Sequence, residues 1–251
     1  MTSVTGRIKQ VKQPHGGYLP IRQMNVQKYD GADLHPHENT QPSLVGLAVD
    51  YLTRVMLGDK PVTAFAPSIH GLADAEGLGM TLSVYPDAMP TDLSGVSIRN
   101  AIIFASFDSI FRAGPHTYRP PTLPDKETTE NIRRMVERSV TFFTDVYPAT
   151  ANGFDFEGGY TDLVSSGDGD FLTRTGLWDM KVLRGNLTSN HSLQLLMYWR
   201  MGLRSIHDVF QDIRTLGFYN PRKNEATTID IADIPEDVIR IVDTEVIGYP
   251  F

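Results

Sequence analysis

The run from Gly169 to Lys181, Gly-Asp-Phe-Leu-Thr-Arg-Thr-Gly-Leu-Trp-Asp-Met-Lys, constrains this chain more than any other stretch. It contains two β-rich segments, Asp170–Thr173 and Leu177–Leu183, on either side of a turn at Thr175-Gly176. Two strands joined this way bring Asp170 and Asp179 close together. Lys181 lies two residues past Asp179, so both side chains leave one face of the strand. Paired carboxylates form a hard-oxygen site of the kind that holds Mg²⁺ or Mn²⁺, and the Met180 carbonyl offers a further oxygen. A lysine beside such a site can orient an attacking water or stabilise charge on a phosphate, which are the parts phosphodiester hydrolysis requires.

The rest of the chain reads as a frame for that hairpin. Residues 1–40 are polar, rich in Gly, Pro and His, and are expected to be an irregular arm. Pro42 opens a helix to about Leu57, with Leu44, Leu47, Ala48, Tyr51, Leu52 and Val55 as its apolar stripe. Residues 58–92 predict loops with a short helix near 70–77, followed by helices over 93–112 and 125–146. Asp125 caps the second of these, and its charged run Lys126 to Arg138 is expected to face water. Strands are expected at Phe154–Glu157 and Tyr160–Ser165 as well as in the hairpin. Helices follow at about His191–Met201 and Ile206–Leu216, then a strand pair at Phe218–Tyr219 and Ala226–Ile231, then a helix from Pro235 to about Thr244. This order predicts an α/β chain, a central mixed sheet flanked by helices. One domain over residues 41–251 is expected, with a helical and loop insertion at about 58–125.

Composition narrows the chemistry. There are no cysteines, which excludes disulfides, thiolate zinc sites and cysteine-held iron–sulfur clusters. The formal net charge of −7 argues against non-specific coating of nucleic acid, though not against a local basic groove. The first residues lack a basic-then-apolar export pattern, and no stretch approaches the ~18 apolar residues of a membrane span. A cytoplasmic protein with no membrane partner is therefore expected. The Asn186-Leu-Thr188 triplet matches a glycosylation sequon and, without an export signal, reads as chance.

A second clue follows the hairpin. Gln194 and Tyr198 stand four residues apart on one helix face, with His191 one turn earlier on nearly the same stripe. Leu195, Leu196, Trp199 and Leu203 lie mostly to the other side. Taken together, Gly-x-Gly-Asp170, the apolar strand, Asp179-x-Lys181 and Gln194-x-x-x-Tyr198 resemble the PD-(D/E)XK nuclease superfamily. The likeness is greatest to its RecB-type branch, whose signature ends in a Gln-x-x-x-Tyr helix. That branch often carries a metal-binding His four residues after a glycine in its first helix; here Gly46 is followed at that spacing by Asp50, which can also ligate Mg²⁺.

The resemblance implies a restriction-endonuclease-like core and a Mg²⁺- or Mn²⁺-dependent deoxyribonuclease acting on single strands or DNA ends, in phage biology, repair or defence. Asp170, Asp179, Asp50 and Met180 would hold metal, Lys181 would position water, and Gln194 and Tyr198 would line the site. It covers residues 154–203 well, the helix at 42–57 loosely, and not 58–125 or the segment after about 216. Two other readings stand beside it: a silent nuclease fold that binds nucleic acid or a protein partner, and a metal-dependent hydrolase of small nucleotides.

Gly46 has its own physical reading, since a mid-helix glycine costs about 1 kcal/mol against alanine and hints at close approach. Gly46, Asp50 and Thr53 are expected on a face away from the apolar stripe. Glu157 and Asp162 are read as solvated strand-end charges first and as further metal ligands second. His35, His37 and Glu38 are read as polar loop residues first and a metal site second, and Arg133, Arg134 and Arg138 as a solvated helix face first and a phosphate-binding patch second. Asp168-Gly-Asp170 begins like an EF-hand, but Leu172 and Thr173 occupy positions that need a ligand and a glycine. There is no Gly-x-Ser-x-Gly elbow, P-loop or dinucleotide fingerprint.

Overall fold

Prolines at first helical turns, Ser and Asp at N-caps, and β-branched or aromatic runs between glycines place most of the elements. The computed structural model describes residues 2–250. In chain order the elements are α1 (Val4–Gln10), β1 (Asn25–Lys28), α2 (Pro42–Met56), α3 (Pro61–Ala64), α4 (Ala66–Gly77), α5 (Gly95–Ala113) and α6 (Lys126–Thr141). They continue with β2 (Ala149–Phe154), β3 (Gly169–Thr173), β4 (Gly176–Met180), α7 (Ser189–Gly202), β5 (Thr215–Asn220), β6 (Glu225–Asp230) and α8 (Glu236–Ile241). The chain divides into two compact units: residues up to Tyr29 together with those from Tyr147 onward, and the intervening Asp30–Val146.

The first unit is α/β. Its six strands form one mixed sheet in the order β1-β6-β5-β4-β3-β2. Every neighbouring pair is antiparallel except β4 and β5, which run parallel. Parallel neighbours need a crossover, and α7 supplies it. One face of α7 buries Leu193, Leu196 and Met197 in a core shared with Leu172, Leu177, Leu216 and Phe218 of the strands. That apolar burial is what fixes α7 above the hairpin.

The second unit is helical, with α2 to α6. Phe65 is buried between the rings of Tyr51 and Phe104, at centroid distances of 5.0 and 5.7 Å. The carboxylate of Asp108, also buried, takes the Tyr51 hydroxyl and the Arg112 guanidinium.

Several expectations are corrected. The N-terminal forty residues include α1 and β1, and β1 pairs with β6 some two hundred positions away in sequence, in the register Asn25↔Thr228. The expected strands at 154–157 and 160–165 are replaced by β2 at 149–154 and an irregular loop. There Gly158 takes φ 85°, and the Tyr160 hydroxyl accepts from Phe156 N and donates to Gly167 O. The expected helix at 206–216 is a short 3₁₀ turn at Asp208–Asp212 followed by β5, because pairing with both β4 and β6 outweighs local helix preference.

On α2 the buried residues are Val45, Ala48, Val49, Tyr51, Leu52 and Thr53, so the core stripe is turned from the one drawn through the leucines. Thr53 is therefore inside, with its hydroxyl on Val49 O. The α6 arginines are not simply solvated: Arg133, Arg134 and Arg138 donate to the carbonyls of Leu93, Asp33 and Ala32 and tie neighbouring loops to the helix.

Candidate functional site

The register of β3 and β4 pairs Phe171 with Trp178 and Leu172 with Leu177. One pair further along in the same register stand Asp170 and Asp179. Side chains directly opposite in an antiparallel pair leave the same face. Asp170 and Asp179 thus share the face of Leu172 and Leu177, the one covered by α7, while Phe171 and Trp178 leave the other.

The polar groups on that face are joined. Lys181 Nζ lies 2.7 Å from Asp179 Oδ2. The same ammonium donates to Gln194 Oε1 at 3.1 Å, and Gln194 Nε2 donates to the Tyr198 hydroxyl at 2.8 Å. Asp170 Oδ2 accepts the Met180 amide at 2.8 Å, which holds the start of β3 to the end of β4. The Asp179 side chain is 2% exposed and Lys181 20%, so the pair is withdrawn from water but the ammonium can still be reached. Burial raises the Tyr198 hydroxyl well above its ordinary range, and the Asp179 and Asp170 carboxylates raise it further. Tyr198 therefore stays protonated and serves as a neutral hydrogen-bonding group.

His191 belongs to the same helix stripe. Thr188 is the N-cap of α7, and His191 completes a capping box in which the Thr188 amide donates to Nδ1 at 3.0 Å. Burial, and then the nearby Lys181 charge, push His191 down to about 4 from an ordinary 6.5. Between those values the unfolded chain binds a proton that the folded chain does not. The stability contribution is therefore complete above about pH 6.5 and is lost as the pH falls toward 4. In melting curves taken across this range, wild type is expected to lose more stability on acidification than His191→Gln. Parallel profiles for the two proteins would contradict this assignment.

Asp50 stands on α2 in the helical unit, where its carboxylate pairs with Arg54 at 3.1 Å. Glu157 and Asp162 are exposed. Glu38 accepts from Asn131 Nδ2 at 2.9 Å and helps tie its loop to α6. The part of His191 was the contribution hardest to see in sequence. Its signal was the spacing Thr188-x-x-His191, a capping box with His where Glu or Gln is usual.

Among the described residues, no group of three or more His, Asp or Glu side chains gathers to hold a metal ion. The donor set to be tested is thus the two carboxylates, Asp170 and Asp179, with the Met180 carbonyl. It fits a Mg²⁺-type ion, which is commonly bound through one or two carboxylates and keeps several waters. Compared with known protein families, curated proteins and solved structures, the chain matches none. No helix among the described residues is long and apolar enough to cross a membrane.

Proposed function

We propose that the chain is a metal-dependent deoxyribonuclease of the PD-(D/E)XK type, with its site on the α7-covered face of β3 and β4. The observation that carries this reading is the continuous line Asp179–Lys181–Gln194–Tyr198, in which a strand carboxylate, a lysine one residue past the strand's end and two helix groups are bonded in sequence. A surface lysine has no need of such support. Support for a restriction-endonuclease-like core comes from the order of three antiparallel strands, a crossover helix and a parallel strand.

Asp170, Asp179 and the Met180 carbonyl would hold Mg²⁺ or Mn²⁺, which when bound supplies Lewis acidity and lowers the pKa of coordinated water. Lys181 presents an ammonium beside Asp179 that can donate to a water or to a phosphate oxygen. Gln194 fixes the direction of that ammonium, and Tyr198 fixes Gln194. The substrate proposed is DNA, as single strands or ends, in a cytoplasmic setting.

The test is incubation of single- and double-stranded DNA with the protein in Mg²⁺ or Mn²⁺, and in EDTA. Cleavage that needs the metal is expected. Absence of cleavage on every substrate would overturn the reading. A silent fold that only binds is the second reading, favoured by the formal net charge of −7. It predicts no heat of Mn²⁺ binding, whereas the enzyme predicts binding that Asp179→Ala removes.

A further inference from the structure

His191 is fixed in a way that helix capping alone does not require. A backbone N–H can only donate, so the Thr188 amide at 3.0 Å makes Nδ1 an acceptor without a proton. Thr188 Oγ1 lies 3.3 Å from the same nitrogen. The proton of the neutral ring must then sit on Nε2. Both side-chain hydrogen bonds of His191 are on Nδ1, which leaves Nε2–H without a protein acceptor among the described residues. The ring is half-buried rather than lost in the core.

Its position also matters. His191, Gln194 and Tyr198 recur at three and four residues along α7, and Gln194 meets Lys181. A glutamate at this third helical position would cap the amide equally well and would favour the helix dipole. It would also set a second anion beside Lys181, in competition with Asp179. Histidine closes the cap without adding charge, and keeps a donor to spare.

We propose that His191 is a substrate-binding residue whose Nε2–H donates to a phosphodiester oxygen of the DNA strand beside Lys181. This rests on the nuclease reading above. The held tautomer makes the donor permanent: the ring arrives with its proton already on the nitrogen that meets the phosphate. Burial and the Lys181 charge, which keep the ring neutral, act in the same direction.

The test uses the full chain, a short labelled single-stranded DNA and Ca²⁺ in place of Mg²⁺, so that binding is read without cleavage. His191→Ala, measured well below its melting temperature, is expected to bind about tenfold to a hundredfold more weakly, the loss of one hydrogen bond to a charged phosphate. His191→Gln, which can accept through Oε1 and donate through Nε2, should recover most of that affinity. His191→Glu should melt like wild type yet bind poorly. Imidazole ¹⁵N shifts of the free protein should report the proton on Nε2.

Equal DNA affinity in wild type and His191→Ala, or a proton found on Nδ1, would overturn the proposal. Parallel cleavage assays in Mg²⁺ separate the two levels. DNA cut by wild type and bound equally by the variant sinks the histidine role alone. DNA neither bound nor cut sinks the nuclease reading and this one together.

Discussion

Lys181→Ala is expected to reduce DNA cleavage by about a thousandfold or more, the scale lost when a positioned charge at a reacting centre is removed. By the usual conversion this is roughly 4 kcal/mol of barrier. The same change should lower stability, for a separate reason. Asp179 is 2% exposed, and Lys181 Nζ lies 2.7 Å from it. Removing one partner of a buried pair leaves the other charge uncompensated, at about 3–5 kcal/mol in a fully buried case and less here because Lys181 keeps some access to water.

The two effects can be parted with Lys181→Arg. A guanidinium can still pair with Asp179, so the melting temperature should stay near wild type. Its planar fork on a longer stem cannot place a point charge where the ammonium stood or take the Gln194 carbonyl oxygen in the same direction. Cleavage should therefore stay at least about a hundredfold down. Wild-type rates in the purified Lys181→Arg variant would show that charge alone is needed at this position. Wild-type rates in Lys181→Ala would remove Lys181 from the chemistry.

What could be read in the sequence divides along a physical line. Asp170, Asp179 and Lys181 were legible as a group because strand alternation and a two-strand turn are local, and local geometry fixes which side chains share a face. Gln194 and Tyr198 were legible for the same reason, through the helical period. The tie between Lys181 and Gln194 was expected only in outline, since it depends on how α7 lies over the sheet.

Non-local pairing could not be read. Asn25–Lys28 is four exposed residues with no apolar alternation, and becomes a strand only because β6 offers it an edge. Thr215–Asn220 carries a helix-compatible start, yet β4 and β6 claim it from both sides. On α2 the error lay in weighting Leu over Val. The β-branched Val45 and Val49 are fully buried, and the turn of the stripe that they impose takes Thr53 inside. Asp50 keeps an ion pair with Arg54. Its suggested metal role came from spacing by analogy, which a single helix face does not decide.

Trp178→Ala is expected to be the most damaging core substitution near the site, although its side chain lies on the other face of the sheet. It leaves the face of β4 opposite Asp179, is 1% exposed, and meets Tyr147 at a ring-centroid distance of 4.5 Å. Its Nε1 lies 3.4 Å from Thr173 Oγ1 across the hairpin. Truncation of a buried tryptophan costs about 3–5 kcal/mol, a large share of the ~5–15 kcal/mol that holds a typical domain together. The melting temperature should fall by on the order of 10 °C.

Gly217 supplies the control. On β5 it pairs with Trp178 on β4, and a Cβ there would collide with the indole ring. Gly217→Ala alone should therefore overpack the site, at about 1–3 kcal/mol. In the Trp178→Ala background the same methyl enters the space the indole has left, so it should cost nothing or restore part of the loss. The two changes are then strongly non-additive, as residues in direct contact should be. Additive melting shifts would mean that the indole and Gly217 do not share the space assigned to them. Coupling of the expected sign would show that the indole fills the space over Gly217 and so packs β4 against β5 on the face opposite Asp179.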